Sequence, residues 1–160
     1  MKAILATAII AGGVGFVAGG AAWYLFSPLL FDEVVAEAAP ASTALMPVAS
    51  GAFRDADRAH KGTGTVTVLS SDAETVLRLT EFEVTNGPDL EVWLVKAGGI
   101  ASSGDVKASE WLSLGQLKGN VGDQNYAIPA GTALDDYRSV VIWCEQFGVL
   151  FSAADLAPAS

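Results

Sequence analysis

Hydrophobic and polar positions follow one pattern before about residue 31 and another after residue 51. Residues 3–31 carry no charged side chain, whereas short alternating segments separated by Gly, Asn and Pro follow Gly51. A helix needs ~20 apolar residues to cross a bilayer, and period-two alternation is typical of β-strands with one buried face. The pattern therefore predicts a transmembrane signal anchor over residues 1–31, an Ala- and Pro-rich linker over residues 32–50, and a folded domain over residues 51–160.

The folded domain is predicted to be all-β. About eight short strands at this spacing favour an antiparallel β-sandwich, and the turn Asn86-Gly87-Pro88-Asp89 is well suited to join two of them. A loop is expected over residues 98–109. The polar, Gly-rich segment 119–126 is expected to be a binding rim or an ordered turn whose side chains satisfy backbone groups. Strands are predicted near residues 65–69, 75–84, 90–95, 112–117, 139–144 and 147–151.

The run from Ser139 to Cys144 contains the only cysteine of the chain, and its β-branched residues predict a strand buried on both faces. Alternation places Val140, Ile142 and Cys144 on one face, and Val141 and Trp143 on the other. A buried free thiol is commonly a small hydrophobe. Cys144 is therefore either inert core or a redox group.

The N-terminal segment is predicted to remain as an uncleaved single-pass anchor. Its apolar stretch is longer than a secretory signal peptide requires, and the pair Trp23-Tyr24 suits a membrane interface. Lys2 favours an N-terminus inside the cell, so the domain should lie in the periplasm or outside the cell. The alternative is cleavage at the signal-peptidase-like sequence Ala36-Glu37-Ala38.

Gly15 and Gly19 form a G-x-x-x-G spacing within the same apolar stretch. Small residues at this spacing let two transmembrane helices approach closely. The spacing is compatible with a homodimer, although small residues are common in transmembrane helices generally.

Composition excludes several classes of function. The formal net charge of −9 argues against nucleic acid, whose phosphates require clustered Lys and Arg. One Cys and one His cannot form an intramolecular disulfide or a multi-ligand soft-metal site. No Ser-His-Asp order, phosphate-binding loop or catalytic carboxylate pair is recognisable, so the sequence does not indicate a stand-alone enzyme.

Several motifs follow one another in order between Gly51 and Leu156. They are Gly51-x-Phe53 with His60 and Gly64, Asn86-Gly87-Pro88-Asp89-Leu90, the run from Leu114 to Pro129, and Ser139-Val140-x-Ile142-Trp143-Cys144 followed by Phe147-x-Val149-x-Phe151. With these motifs in this order, the domain resembles the DM13 family, sometimes described as an electron-transfer domain.

The resemblance implies a β-sandwich whose characteristic cysteine acts in redox chemistry, as a bare thiol or as a ligand to a group such as haem. Cys144 is then the redox candidate, and Cys144, His60 and Trp143 are the candidate cofactor-binding residues, with a redox protein as partner. His60 has an alternative role as a loop histidine that only satisfies local hydrogen bonds. The alternative function is a non-catalytic envelope module for adhesion or assembly with a structural cysteine.

Overall fold

A computed structural model describes residues 31–159 and six isolated helical positions, 13, 15, 16, 19, 20 and 23. Most of the expected transmembrane helix, including Tyr24 of the pair expected at the membrane interface, therefore lies outside the described residues. Among the residues that are described, no helix is long and apolar enough to cross a membrane.

Residues 31–159 form eleven β-strands and one short α-helix, α1, at Ser103–Lys107. A 3-10 turn at Leu134–Asp136 precedes the ninth strand. The strands are β1 (Val34–Ala36), β2 (Met46–Ala52), β3 (Arg54–Asp55), β4 (Gly62–Ser70), β5 (Thr75–Val84), β6 (Leu90–Val95), β7 (Trp111–Gln116), β8 (Val121–Ile128), β9 (Ser139–Cys144), β10 (Val149–Asp155) and β11 (Ala157–Pro158).

These strands form two sheets, with strand orders β1-β8-β5-β4-β2-β11 and β3-β10-β9-β6-β7. Of the strand pairs described, β1 and β8 run parallel and the others run antiparallel. The inner faces pack together, with Val66 and Leu77 from the first sheet against Val92 and Ile142 from the second. The predicted all-β sandwich is confirmed, with more strands than the eight expected.

A second apolar cluster lies on the opposite face of the β9-containing sheet, under the segment that carries α1. Ile100 and Val106 from that segment join Trp93, Val141 and Trp143. The strand β9 is buried at every residue because it has apolar neighbours on both faces. The predicted alternation along β9 is confirmed, since Cys144 belongs to the inner core and Trp143 to the second cluster.

The structure differs from the linker expected over residues 32–50. Val34–Ala36 pairs with β8, and Met46 onward pairs with β4. The Asn120 side chain holds the start of β1, because its Oδ1 accepts from the Glu33 amide at 2.7 Å and its Nδ2 donates to Asp32 Oδ1 at 2.8 Å. Both ends of this stretch are therefore part of the sheet, although its composition resembles that of a tether.

Two segments predicted as loops contain regular structure. Residues 103–107 form α1, and most of the polar segment 119–126 belongs to β8. Gln124 is fully buried there, donating from Nε2 to Gly119 O at 2.7 Å and accepting at Oε1 from the Tyr126 hydroxyl at 2.7 Å. The polar side chains of β8 thus satisfy groups inside the fold, as one of the two interpretations of this segment expected, instead of forming a loop rim.

Candidate functional site

Cys144 is the last residue of β9 and is completely buried. Its cross-strand partners are Leu90 in β6 and Val149 in β10. Its thiol therefore lies at one end of the sandwich, inside the main core, with a strand on each side.

The thiol is bonded to the turn that separates β5 and β6. Sγ donates a hydrogen bond to the carbonyl oxygen of Pro88 at a distance of 3.0 Å. The same turn is fixed by the Glu145 amide, which donates to the Asp89 carbonyl at 3.0 Å, while Asp89 itself has a positive φ of 54°. The Asn86–Asp89 turn and the hairpin after Cys144 thus form one connected unit.

The environment keeps the thiol protonated. Burial raises the pKa of Cys144, the backbone amides of Phe147 and Gln146 partly oppose this, and the carboxylates of Asp89 and Glu145 raise it further. The thiolate is the nucleophilic and metal-binding form of cysteine. In this conformation Cys144 is consequently a poor nucleophile and a poor metal ligand.

His60 lies in the loop between β3 and β4 and is held by a carboxylate. Its Nδ1 is 2.8 Å from Asp57 Oδ2, and the Asp57 carboxylate also accepts from the amides of Ala59 and His60. These hydrogen bonds, led by the one from the imidazole, lower the pKa of Asp57 to about 2. This local bonding is what a structural loop histidine would make.

His60 reaches the Cys144 region through an aromatic ring. Its imidazole centroid is 4.3 Å from that of Phe151, and the Phe151 ring packs so closely on Gly87 that a side chain at Gly87 would collide with it. Gly87 precedes Pro88, whose carbonyl accepts from Cys144. The structure therefore brings His60 and Cys144 to the same end of the domain, with Phe151 and the turn as intermediaries.

The described residues do not fit a haem held by Cys144 and His60. Sγ has no exposed surface and contacts the Pro88 carbonyl, while the His60 ring is occupied by Asp57 and Phe151. Neither of two cavities, of about 540 and 410 Å³, is lined by Cys144 or His60, although the smaller one is lined by Gly87 and Asp89 of the turn that accepts the thiol hydrogen bond. An axial ligand must point into a pocket, and this thiol points into packed core.

Trp143 is buried, as predicted, but it faces away from the thiol and lies next to another tryptophan, Trp93. Its ring centroid is 5.2 Å from that of Trp93, which stacks at 3.8 Å on the half-exposed Trp111. Sequence reasoning missed this cluster. The sequence signal that could have indicated it is the pair Glu91 and Trp93, because alternation places both side chains on the same face of β6.

Comparison with known proteins gives one result at the level of the family. The profile described as "Electron transfer DM13" matches residues 53–156, well over half of the chain. No curated protein and no solved structure gives a significant match. The motifs of the expected resemblance lie almost wholly inside the matched range, and the chain therefore belongs to the DM13 family of electron-transfer domains.

Proposed function

We propose that this domain transfers electrons at the extracytoplasmic face of a membrane and that Cys144 is its redox group. Membership of the electron-transfer DM13 family supports the type of function. The uncharged stretch at residues 3–31 and Lys2 support an anchor with the domain outside the cytoplasm.

One observation carries the assignment to Cys144. Separate segments of the chain that bear the family motifs converge on its thiol: the Asn86–Asp89 turn through the Pro88 carbonyl, and the closing hairpin through the amides that follow Cys144. The rings of Phe151 and His60 pack against each other at the same end of the domain. This concentration of motif residues supports a role for the thiol beyond filling space.

The protonated state restricts the chemistry. A thiol that gives one electron to an external acceptor must also release its proton, because burial disfavours a charged product. The Pro88 carbonyl accepts the S–H hydrogen bond but is not a base. We expect the proton to pass to Asp89 or Glu145, the two carboxylates whose charges already act on the thiol.

The test uses the full-length protein in detergent with hexachloroiridate(IV), a stronger oxidant than ferricyanide, as the one-electron acceptor. Wild-type protein should reduce one equivalent of hexachloroiridate(IV) per chain, and both Cys144→Ala and Cys144→Ser should reduce none while keeping a native circular dichroism spectrum. Equal reduction by all three proteins would contradict the assignment to Cys144.

A second candidate is an adhesion or assembly module with a structural cysteine. The 3.0 Å hydrogen bond to Pro88 and the raised pKa of Cys144 favour it, because an inert buried thiol would have both features. In that case the native wild-type protein would leave hexachloroiridate(IV) unreduced, and the thiol would react only after unfolding.

A further inference from the structure

The three tryptophans of the described domain lie in one row from surface to core. Trp111 is 48 % exposed, and its ring is stacked on that of Trp93 with a 3.8 Å separation of centroids and an 11° angle between planes. Trp93 and Trp143 are both buried, with centroids 5.2 Å apart and rings tilted by 31°. Electron tunnelling declines steeply with distance, so this row of rings is a short path between solvent and interior.

A carboxylate contacts the middle ring at its acidic position. Trp93 Nε1 donates to Glu91 Oε2 at 2.7 Å, and the hydroxyl of Ser113 donates to the same oxygen at 2.6 Å. An indole N–H becomes strongly acidic when the ring loses an electron, so a carboxylate at this distance can take its proton. Ser113 fixes Glu91 in the position that this transfer requires.

Opposite charges next to Trp93 and Trp143 determine which of the two rings is easier to oxidise. Glu91 is bonded to Trp93, whereas Lys107 Nζ lies 5.8 Å from the centroid of the Trp143 ring. A negative group stabilises a nearby electron-deficient ring and an ammonium destabilises it, and both effects are larger in a buried site than in water. Trp93 is therefore easier to oxidise than Trp143.

We propose that Trp93 is a second redox site of this protein, working as a proton-coupled electron relay. A strongly oxidising high-valent metal complex bound at Trp111 accepts one electron from Trp93 through the stacked ring, and the Trp93 indole proton passes to Glu91 Oε2. The products are the reduced acceptor, a neutral Trp93 radical and a protonated Glu91. This step does not require Cys144, so it goes beyond the function proposed above.

The test uses the full-length protein in detergent, with Trp23→Phe in every sample to remove the N-terminal tryptophan. A photogenerated ruthenium(III) polypyridyl complex serves as the acceptor, and transient absorption identifies the radical. The parent should give a neutral tryptophan radical. In Glu91→Gln, which keeps an acceptor oxygen but no base, formation of the neutral radical should slow roughly 100-fold, the lower end of a base's contribution, and the radical cation should accumulate.

Two further variants locate the path. Trp111→Phe should lower the radical yield, because phenylalanine is much harder to oxidise than tryptophan. Cys144→Ala should leave the yield unchanged, which separates this relay from the thiol chemistry. A neutral radical that forms equally fast in Glu91→Gln, or one that disappears in Cys144→Ala with the fold intact, would overturn the proposal.

Discussion

The carbonyl oxygen of Pro88 determines how substitutions of Cys144 should change the stability of the fold. From the sequence alone, a serine hydroxyl in this buried strand would be expected to destabilise the fold about as much as a void left by alanine. The structure supplies a hydrogen-bond acceptor, the Pro88 carbonyl, 3.0 Å from Sγ. A serine hydroxyl can donate to the same oxygen.

We therefore expect Cys144→Ser to be less destabilising than Cys144→Ala. Alanine loses the hydrogen bond and leaves the Pro88 carbonyl without its thiol partner, at a cost of about 1–3 kcal/mol, whereas serine keeps a donor in nearly the same volume. Denaturant unfolding of both variants measures the difference. A serine variant less stable than the alanine variant would show that the S–H donor contributes little to stability.

His60 and Asp57 give a prediction about pH. The pKa of Asp57 lies at about 2, below its ordinary value of 3.8, chiefly because of the hydrogen bond from His60. A carboxyl group with a lowered folded-state pKa stabilises the fold fully above its ordinary pKa, and this contribution is lost as the pH falls through the folded value. The contribution from Asp57 should thus disappear between about pH 4 and pH 2.

NMR titration of the Asp57 carboxyl group checks this directly. In His60→Ala the pKa of Asp57 should rise, while staying below 3.8 because the amides of Ala59 and His60 still donate to it. A pKa that remains at about 2 in this variant would assign the whole shift to the backbone amides.

At the scale of the element, β1 depends on a glycine in the neighbouring strand. Gly122 in β8 has a φ of +102°, and a side chain there would collide with the carbonyl oxygen of Val35 in β1. The parallel pairing of β1 with β8 is flanked by two bonds, from the Glu37 amide to Asp123 O at 3.0 Å and from the Val121 amide to Glu33 O at 3.2 Å. Both should be sensitive to a change at Gly122.

We expect Gly122→Ala to detach β1 while the sandwich stays folded. Gly131→Ala is the matched control, because Gly131 also has a positive φ, of +82°, but has open space around it. Both variants should lose ~1–2 kcal/mol for the left-handed backbone. Only Gly122→Ala should speed hydrogen exchange at the amides of Glu37 and Val121; equal exchange in the two variants would count against a steric role.

The elements that the sequence predicted are those with a regular apolar pattern. The strands β4, β5 and β6 were recognisable because apolar side chains alternate along each, and β9 because it is a short apolar run buried on both faces. In contrast, β8 has buried polar residues such as Gln124 and a glycine with positive φ, so its pattern is not that of a strand. The short strand β1 pairs with residues 87 positions away in sequence, and a local sequence pattern does not extend over that distance.

The candidate site was predictable only in part, for a similar reason. Alternation and the lone cysteine identified Cys144, its burial and its face. The acceptor at Pro88, the ring of Phe151 against His60 and the stack on Trp93 join residues from different strands. Such contacts depend on strand order and register, which the pattern along one strand does not contain.

At the scale of the whole molecule, the prediction concerns topology. The uncharged stretch and Lys2 predict an N-terminus inside the cell and a domain outside the cytoplasm. Protease added to cells with a permeable outer envelope should therefore digest the domain and spare a cytoplasmic marker protein. Complete protection of the domain under conditions that digest a known external protein would contradict this orientation.

The pairing of β1 with β8 also bears on processing of the chain. The signal-peptidase-like cleavage sequence Ala36-Glu37-Ala38 is hydrogen-bonded to the folded domain. Lys118 Nζ donates to the Glu37 carboxylate at 2.8 Å, and Arg78 Nη1 donates to the Ala38 carbonyl at 3.2 Å. A cut after Ala38 would release a domain that lacks β1 and leaves the edge of β8 unpaired. Open strand edges accept strands from other chains, so the cleaved domain could recruit the β1 of an intact copy and assemble by strand donation.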